Sequence, residues 1–173
     1  RRHTRYPLVT GVQTCALPIW LIGHNTDAIG FLRAMLDRDI DPVGMSAIVL
    51  GAGGAARAVA VGLLRHGVTE LAIANRSPER AESLCWTLQD KFPRVAVKPL
   101  PLDAGVLRTR LAKATLLVNT TSVGMRGGPD PDGSPVPVDA LSERHIVYDL
   151  VYNPQIRSEE HTSELQSRVD ISY

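Results

Sequence analysis

The chain has 173 residues, with 19 Lys+Arg against 18 Asp+Glu, a net charge of +1 and 44% hydrophobic residues. A near-neutral balance with 5% aromatics offers neither the basic stripe nor the stacking set of a nucleic-acid binder. No apolar run approaches the roughly 18 residues a membrane helix needs, and no metal-ligand spacing or internal repeat is present, so an ordinary globular domain is expected.

The first segment, residues 1–19, carries Arg1, Arg2 and Arg5 ahead of "VQTCALPI" and lacks the long apolar stretch of a signal peptide. It has a counterpart at the other end. A DNA chosen to encode "RSEEHTSELQSRVDISY", residues 157–173, contains on its opposite strand, in a shifted frame, codons for "YPLVTGVQTCALPI". Both flanks are therefore expected to be translated sequencing adapter, with the native part at residues 20–156. The alternative is a genuine basic head and a genuine disordered tail. Between the flanks, acidic and basic residues balance at 14 each. Cys15 falls in the head, which leaves Cys85 alone; a lone cysteine makes no internal disulfide, and a cytoplasmic location follows as an expectation.

"NTDAIGFLRAMLDRD" has helical spacing and opens with Asn25, Thr26 and Asp27, which suit capping. "AIVLGAG" is a short apolar strand running into glycine, and "AARAVAVGLLRHG" a helix ending at Gly67. "ELAIANR" is a second strand. "SPERAESLCWTLQDKF" is a helix with Ser77 as N-cap and Pro78 at its first position. Cys85 within it is expected to be a packing residue. "VAVKPL" is a third strand, and "DAGVLRTRLAKA" a helix capped by Asp103. "TLLVNTT" and "HIVYDLVY" are further strands, joined through the Pro/Gly-rich "RGGPDPDGSPVP". Apolar strands alternating with helices predict an α/β fold, a doubly wound parallel sheet of Rossmann type, truncated at both ends. The expected organisation is a linker helix over residues 20–44 and an incomplete dinucleotide-binding domain over residues 45–156.

Gly51, Gly53 and Gly54 stand between strand and helix. Gly51 permits a tight turn, Gly53 lets backbone N–H groups approach a pyrophosphate, and the helix N-terminus adds partial positive charge. The alternative is a merely flexible connection. After the second strand, where an NAD site usually places a carboxylate, the chain has Asn75, Arg76, Ser77 and Arg80. Guanidiniums there suit the 2′-phosphate of NADP, with a solvated surface charge as the alternative for Arg80. Tyr148 and Tyr152 fall on one side of an extended strand, and core packing is preferred for Tyr148.

With "GHNTDAIGF", "GAGGAARA", "NRSPERAESL", "NTTSVGM" and "YDLVYNP" in this order, the chain resembles shikimate dehydrogenase from about Leu21 to Ile156. The resemblance implies a substrate domain followed by an NADP-binding domain, and NADPH-dependent reduction of 3-dehydroshikimate to shikimate in aromatic amino-acid biosynthesis. It implies that Asp27 is the carboxylate of a catalytic Lys–Asp pair that holds a substrate hydroxyl, and that Tyr152 contacts substrate. Gly51, Ala52, Gly53, Gly54 and Ala55 correspond to the pyrophosphate loop, Asn75, Arg76, Ser77 and Arg80 to the 2′-phosphate clamp, and Thr121 and Leu150 to positions near the cofactor. The family's lysine lies upstream of the "NTD" motif, whereas Lys91, Lys98 and Lys113 all follow it, so this chain is expected to be inactive by itself. A shikimate/quinate dehydrogenase of mixed NAD/NADP use and a non-catalytic nucleotide-binding module are the rival readings. The partner expected is a small-molecule substrate, without nucleic acid or membrane; oligomeric state stays open, a homodimer among the options.

Overall fold

A computed structural model describes residues 26–151, apart from 129 and 132. Helix α1 (Thr26–Leu36) leads through a turn to β1 (Ser46–Leu50). Then come α2 (Gly54–His66), β2 (Glu70–Asn75), α3 (Pro78–Lys91), β3 (Ala96–Pro101), α4 (Ala104–Leu111), β4 (Leu116–Asn119) and β5 (Ile146–Asp149). A short 3₁₀ helix, Val138–Ala140, lies between β4 and β5. The five strands form one parallel sheet in the order β3-β2-β1-β4-β5. The order reverses direction between β1 and β4, which is where ligands of doubly wound sheets bind, beyond the strands' carboxyl ends.

Period-two alternation in the strands builds two cores. Ala47, Val49, Leu71, Ile73, Leu116, Val118 and Tyr148 face α1, α2 and α3. Ile48, Leu50, Ala72, Ala74 and Leu117 face Leu107 and Leu111 of α4. The central strands are thus buried on both sides, as their apolar runs predict. Strand β3 departs from that expectation: it is an edge, Val97 is its one buried residue, and Pro99 and Pro101 sit in it. Proline is tolerated there because an edge strand has N–H groups with no ladder partner to lose.

The predicted helix signals hold in most places. Gly67 ends α2 with φ +95°, its N–H donating to Leu63 O, and Asp103 Oδ1 caps α4 by accepting from Gly105 N and Val106 N. Ser77 occupies the N-cap position of α3, but its hydroxyl donates to the Glu79 carboxylate instead of serving the backbone. Tyr148 is buried, its ring edge-on to Phe31 of α1 at 4.8 Å and 67°, which confirms a packing role and pins α1 to the β5 side of the sheet. No helix among the described residues is long and apolar enough to cross a membrane.

Candidate functional site

The glycine turn sits at the switch point and is built for closeness. Gly51 has φ +105°, and a Cβ there would lie 2.7 Å from Thr120 Oγ1. Thr120 is held in place from β4, its hydroxyl donating to Leu50 O at 2.6 Å and its N–H to the same oxygen at 3.0 Å. Gly51 N–H in turn donates to Ala74 O of β2. One turn therefore ties the carboxyl ends of β1, β2 and β4 together. Beyond it the space opens: a Cβ at Gly53 or Gly54 would meet nothing within 4 Å. Gly53 is the N-cap of α2, makes no side-chain cap, and no acidic residue stands in the first turn. The leading N–H groups of α2, including those of Gly54 and Ala55, thus face an anion-friendly opening. Ala52 is half-buried and Ala55 exposed, while Ala56 is fully buried and lets α2 lie close to the sheet.

A cleft of about 250 Å³ lies between the first turns of α2 and α3, lined by Ala52, Arg57, Glu79, Arg80, Ser83 and Leu84. Arg80 is where the sequence places it. Arg57, on the α2 side, is a second cation in the same cleft, and Glu79 adds a carboxylate; the sequence motifs single out neither. Arg76 is exposed on the turn between β2 and α3 and is not part of the cleft wall. Asn75 shapes that turn, its Nδ2 donating to Ser77 O at 2.9 Å. Among the described residues, neither Arg57, Arg76 nor Arg80 has a carboxylate within ion-pair distance. Glu79 accepts from Ser77 Oγ at 2.8 Å. Its own backbone N–H, and then the Ser77 hydroxyl, hold its carboxyl below the ordinary glutamate range.

A third feature joins the tips of β4 and β5. Asn119 is buried at 3% exposure and uses both ends of its amide. Its Nδ2 donates to Asp149 Oδ1 at 3.0 Å, and its Oδ1 accepts from Thr121 N at 3.0 Å and Thr121 Oγ1 at 2.8 Å. Asp149 Oδ1 also accepts from Val151 N, and Leu150 N donates to Asn119 O. The Thr121 hydroxyl is therefore turned inward to brace the loop, and it accepts from Val123 N as well. Leu150 is half-buried against the core under α1 to α3.

Asp27 lies exposed in the first turn of α1, where its charge suits the helix dipole. The next residue, Ala28, packs against Gly62 in the second half of α2. Among the described residues Asp27 makes no hydrogen bond that would commit its carboxylate elsewhere. Tyr152 and Asn25 lie outside the described residues.

Fold and site together define a Rossmann-like α/β domain, with a glycine turn at its switch point and a cationic cleft beside it. The model of the shikimate/quinate 5-dehydrogenase family matches residues 38–123. Shikimate dehydrogenase (NADP(+)) of Moorella thermoacetica is 47% identical over 135 residues, 78% of this chain and 44% of that protein. Shikimate 5-dehydrogenase of Listeria monocytogenes, solved with shikimate and NAD, superimposes with a TM-score of 0.73 at 30% identity, covering 80% of this chain and 49% of that one. Quinate dehydrogenase of Corynebacterium glutamicum, solved with NAD, gives 0.69 at 34% identity, covering 79% and 46%. The chain is thus similar to the shikimate/quinate 5-dehydrogenase family, with the family match over residues 38–123. It spans under half the length of these relatives.

Proposed function

We propose that this chain is the cofactor-binding part of an NADP-dependent shikimate dehydrogenase, a cytoplasmic oxidoreductase that reduces 3-dehydroshikimate to shikimate in aromatic amino-acid biosynthesis. The observation that carries the reading is the uncapped N-terminus of α2 at the switch point, next to a cleft walled by Arg57 and Arg80. Those groups fit a dinucleotide. The α2 N–H groups take the pyrophosphate, the open side of Gly53 and Gly54 leaves room for it, and the guanidiniums take a 2′-phosphate. The Moorella relative's name, with its NADP(+), supports this choice of coenzyme. When bound, a reduced nicotinamide supplies the hydride; the chain supplies position and charge.

Asp27 is proposed to hold a substrate hydroxyl, and Tyr152 to contact substrate. Proton delivery in this scheme needs a lysine beside Asp27. The chain's three lysines are poorly placed for it: Lys91 ends α3, Lys113 precedes β4, and Lys98 pairs with Glu70 at 3.2 Å in the β2–β3 edge. The proposed organisation is a linker helix at residues 20–44 and the dinucleotide domain at residues 45–156, between adapter-derived flanks. The NAD-bound quinate and shikimate dehydrogenase structures favour one second reading, a shikimate/quinate enzyme of mixed coenzyme use. Calorimetric titration of the 173-residue chain with NADP+ and NAD+, beside an assay of NADPH oxidation by 3-dehydroshikimate, tests these proposals. Binding that favours NADP+, without turnover by the chain alone, is the expected result. Equal affinities would favour mixed use, and turnover above background would overturn the role given to an absent lysine.

A further inference from the structure

The cleft that holds Arg57 and Arg80 also holds a carboxylate, and the geometry fixes it there. Glu79 stands in the first turn of α3, directly after the Ser77–Pro78 start, and lines the same cleft. Ser77 Oγ donates to its Oε2 at 2.8 Å, so the exposed carboxylate is held against the start of α3. Neither Arg57 nor Arg80 pairs with it within ion-pair distance among the described residues. Its negative charge is thus held in the cleft without being cancelled by the cations that line it. An incoming phosphate needs the same guanidiniums and meets this carboxylate as a like charge. A ribose carrying a plain 2′-hydroxyl meets it as a hydrogen-bond acceptor.

We propose that Glu79 is a coenzyme-selectivity residue of this cleft, opposing the 2′-phosphate and holding the preference for NADP over NAD below what Arg57 and Arg80 alone would produce. This inference rests on the dinucleotide reading above. It assigns Glu79 the carboxylate role that sequence comparison with NAD sites seeks at the end of β2, where this chain has Asn75. Asn75 instead shapes the turn that presents Ser77, and through Ser77 the position of Glu79.

The test uses the full chain, with NADP+ and NAD+ as probes. Glu79→Gln keeps the side chain's shape and its capacity to accept from Ser77 while removing the charge, and Glu79→Ala removes both. The altered position is exposed, and far-ultraviolet circular dichroism checks that each variant folds. E79Q is expected to raise the ratio of NADP+ to NAD+ affinity about threefold to fivefold, the scale of one screened charge at an exposed site. The gap between E79Q and the unaltered chain is expected to shrink as salt rises, which a purely steric role would not produce. E79A should move the ratio in the same direction. If the unaltered chain binds both coenzymes and neither variant changes the ratio, or the ratio falls, the role of Glu79 is wrong and the dinucleotide site stands. If the unaltered chain binds neither coenzyme, the dinucleotide reading fails and takes this inference with it.

Discussion

Gly51 shows how much one backbone position can carry. Its φ of +105° excludes other residues, and a Cβ would run into Thr120 Oγ1, which itself locks β4 to Leu50 O. Gly51→Ala is expected to cost about 2–4 kcal/mol, combining backbone strain with a broken hydrogen bond. Urea unfolding would measure it, and a loss below about 1 kcal/mol would contradict the close approach. Asn119 is a comparable case. Asn119→Leu strips three hydrogen bonds from a buried position and leaves the Asp149 carboxylate without its amide donor. A cost of about 2–4 kcal/mol is expected in urea unfolding, and a loss below about 1 kcal/mol would contradict the brace. Gly51 was legible in the sequence because a glycine between an apolar strand and a helix has few other purposes. Arg57, Glu79 and Asn119 were not. Each looks like an ordinary polar residue in its own segment, and each acquires its partner only when a second element folds against it.

At the scale of elements, the strands and helices follow from their apolar periodicity, and errors collect at their ends. The strand expected through "HIVYDLVY" stops at Asp149, since the Asp149 carboxylate accepts the Val151 N–H and turns the chain out of the ladder. Helix contact also leaves little trace in sequence: α1 rests on α2 where a Cβ at Gly62 would come within 3.3 Å of Ala28 O and 3.5 Å of Leu32 Cδ1. Cys85 of α3 is buried, and burial first, with the Glu82 charge adding to it, pushes its thiol up to about 11. It should therefore resist a thiol-specific disulfide reagent at pH 8 in the folded chain and react promptly in urea; prompt reaction without urea would contradict the packing.

Glu70 ties three elements together, accepting from Arg110 at 2.9 Å and from Lys98 at 3.2 Å. The Arg110 hydrogen bond first, and Lys98 with it, outweigh partial burial and lower its carboxyl below the ordinary glutamate value. A depressed acid contributes stability above its unfolded value and loses it as pH falls through the folded one. Stability should therefore drop as pH falls below the ordinary glutamate range, and Glu70→Gln should flatten that part of the curve. With side chains partly exposed, the pair's contribution is about 1 kcal/mol or less.

For the whole molecule, the sheet order β3-β2-β1-β4-β5 gathers residues distant in the chain at one edge: the Gly51 turn, Thr120, the Asn119–Asp149 brace and the Arg57–Arg80 cleft. The alternation of strand and helix predicts that convergence, because parallel strands put all their carboxyl ends on one side. What alternation cannot supply is which side chains meet there, since that depends on helix rotation and turn geometry. The most direct measurement is the affinity of the chain and of Arg80→Ala for NADP+ and for NAD+. NADP+ is expected to bind at least about tenfold more tightly than NAD+, and R80A to erase about tenfold of the NADP+ affinity while leaving NAD+ within about twofold. Equal affinity of the unaltered chain for the two coenzymes, or an equal loss for both in R80A, would contradict the account.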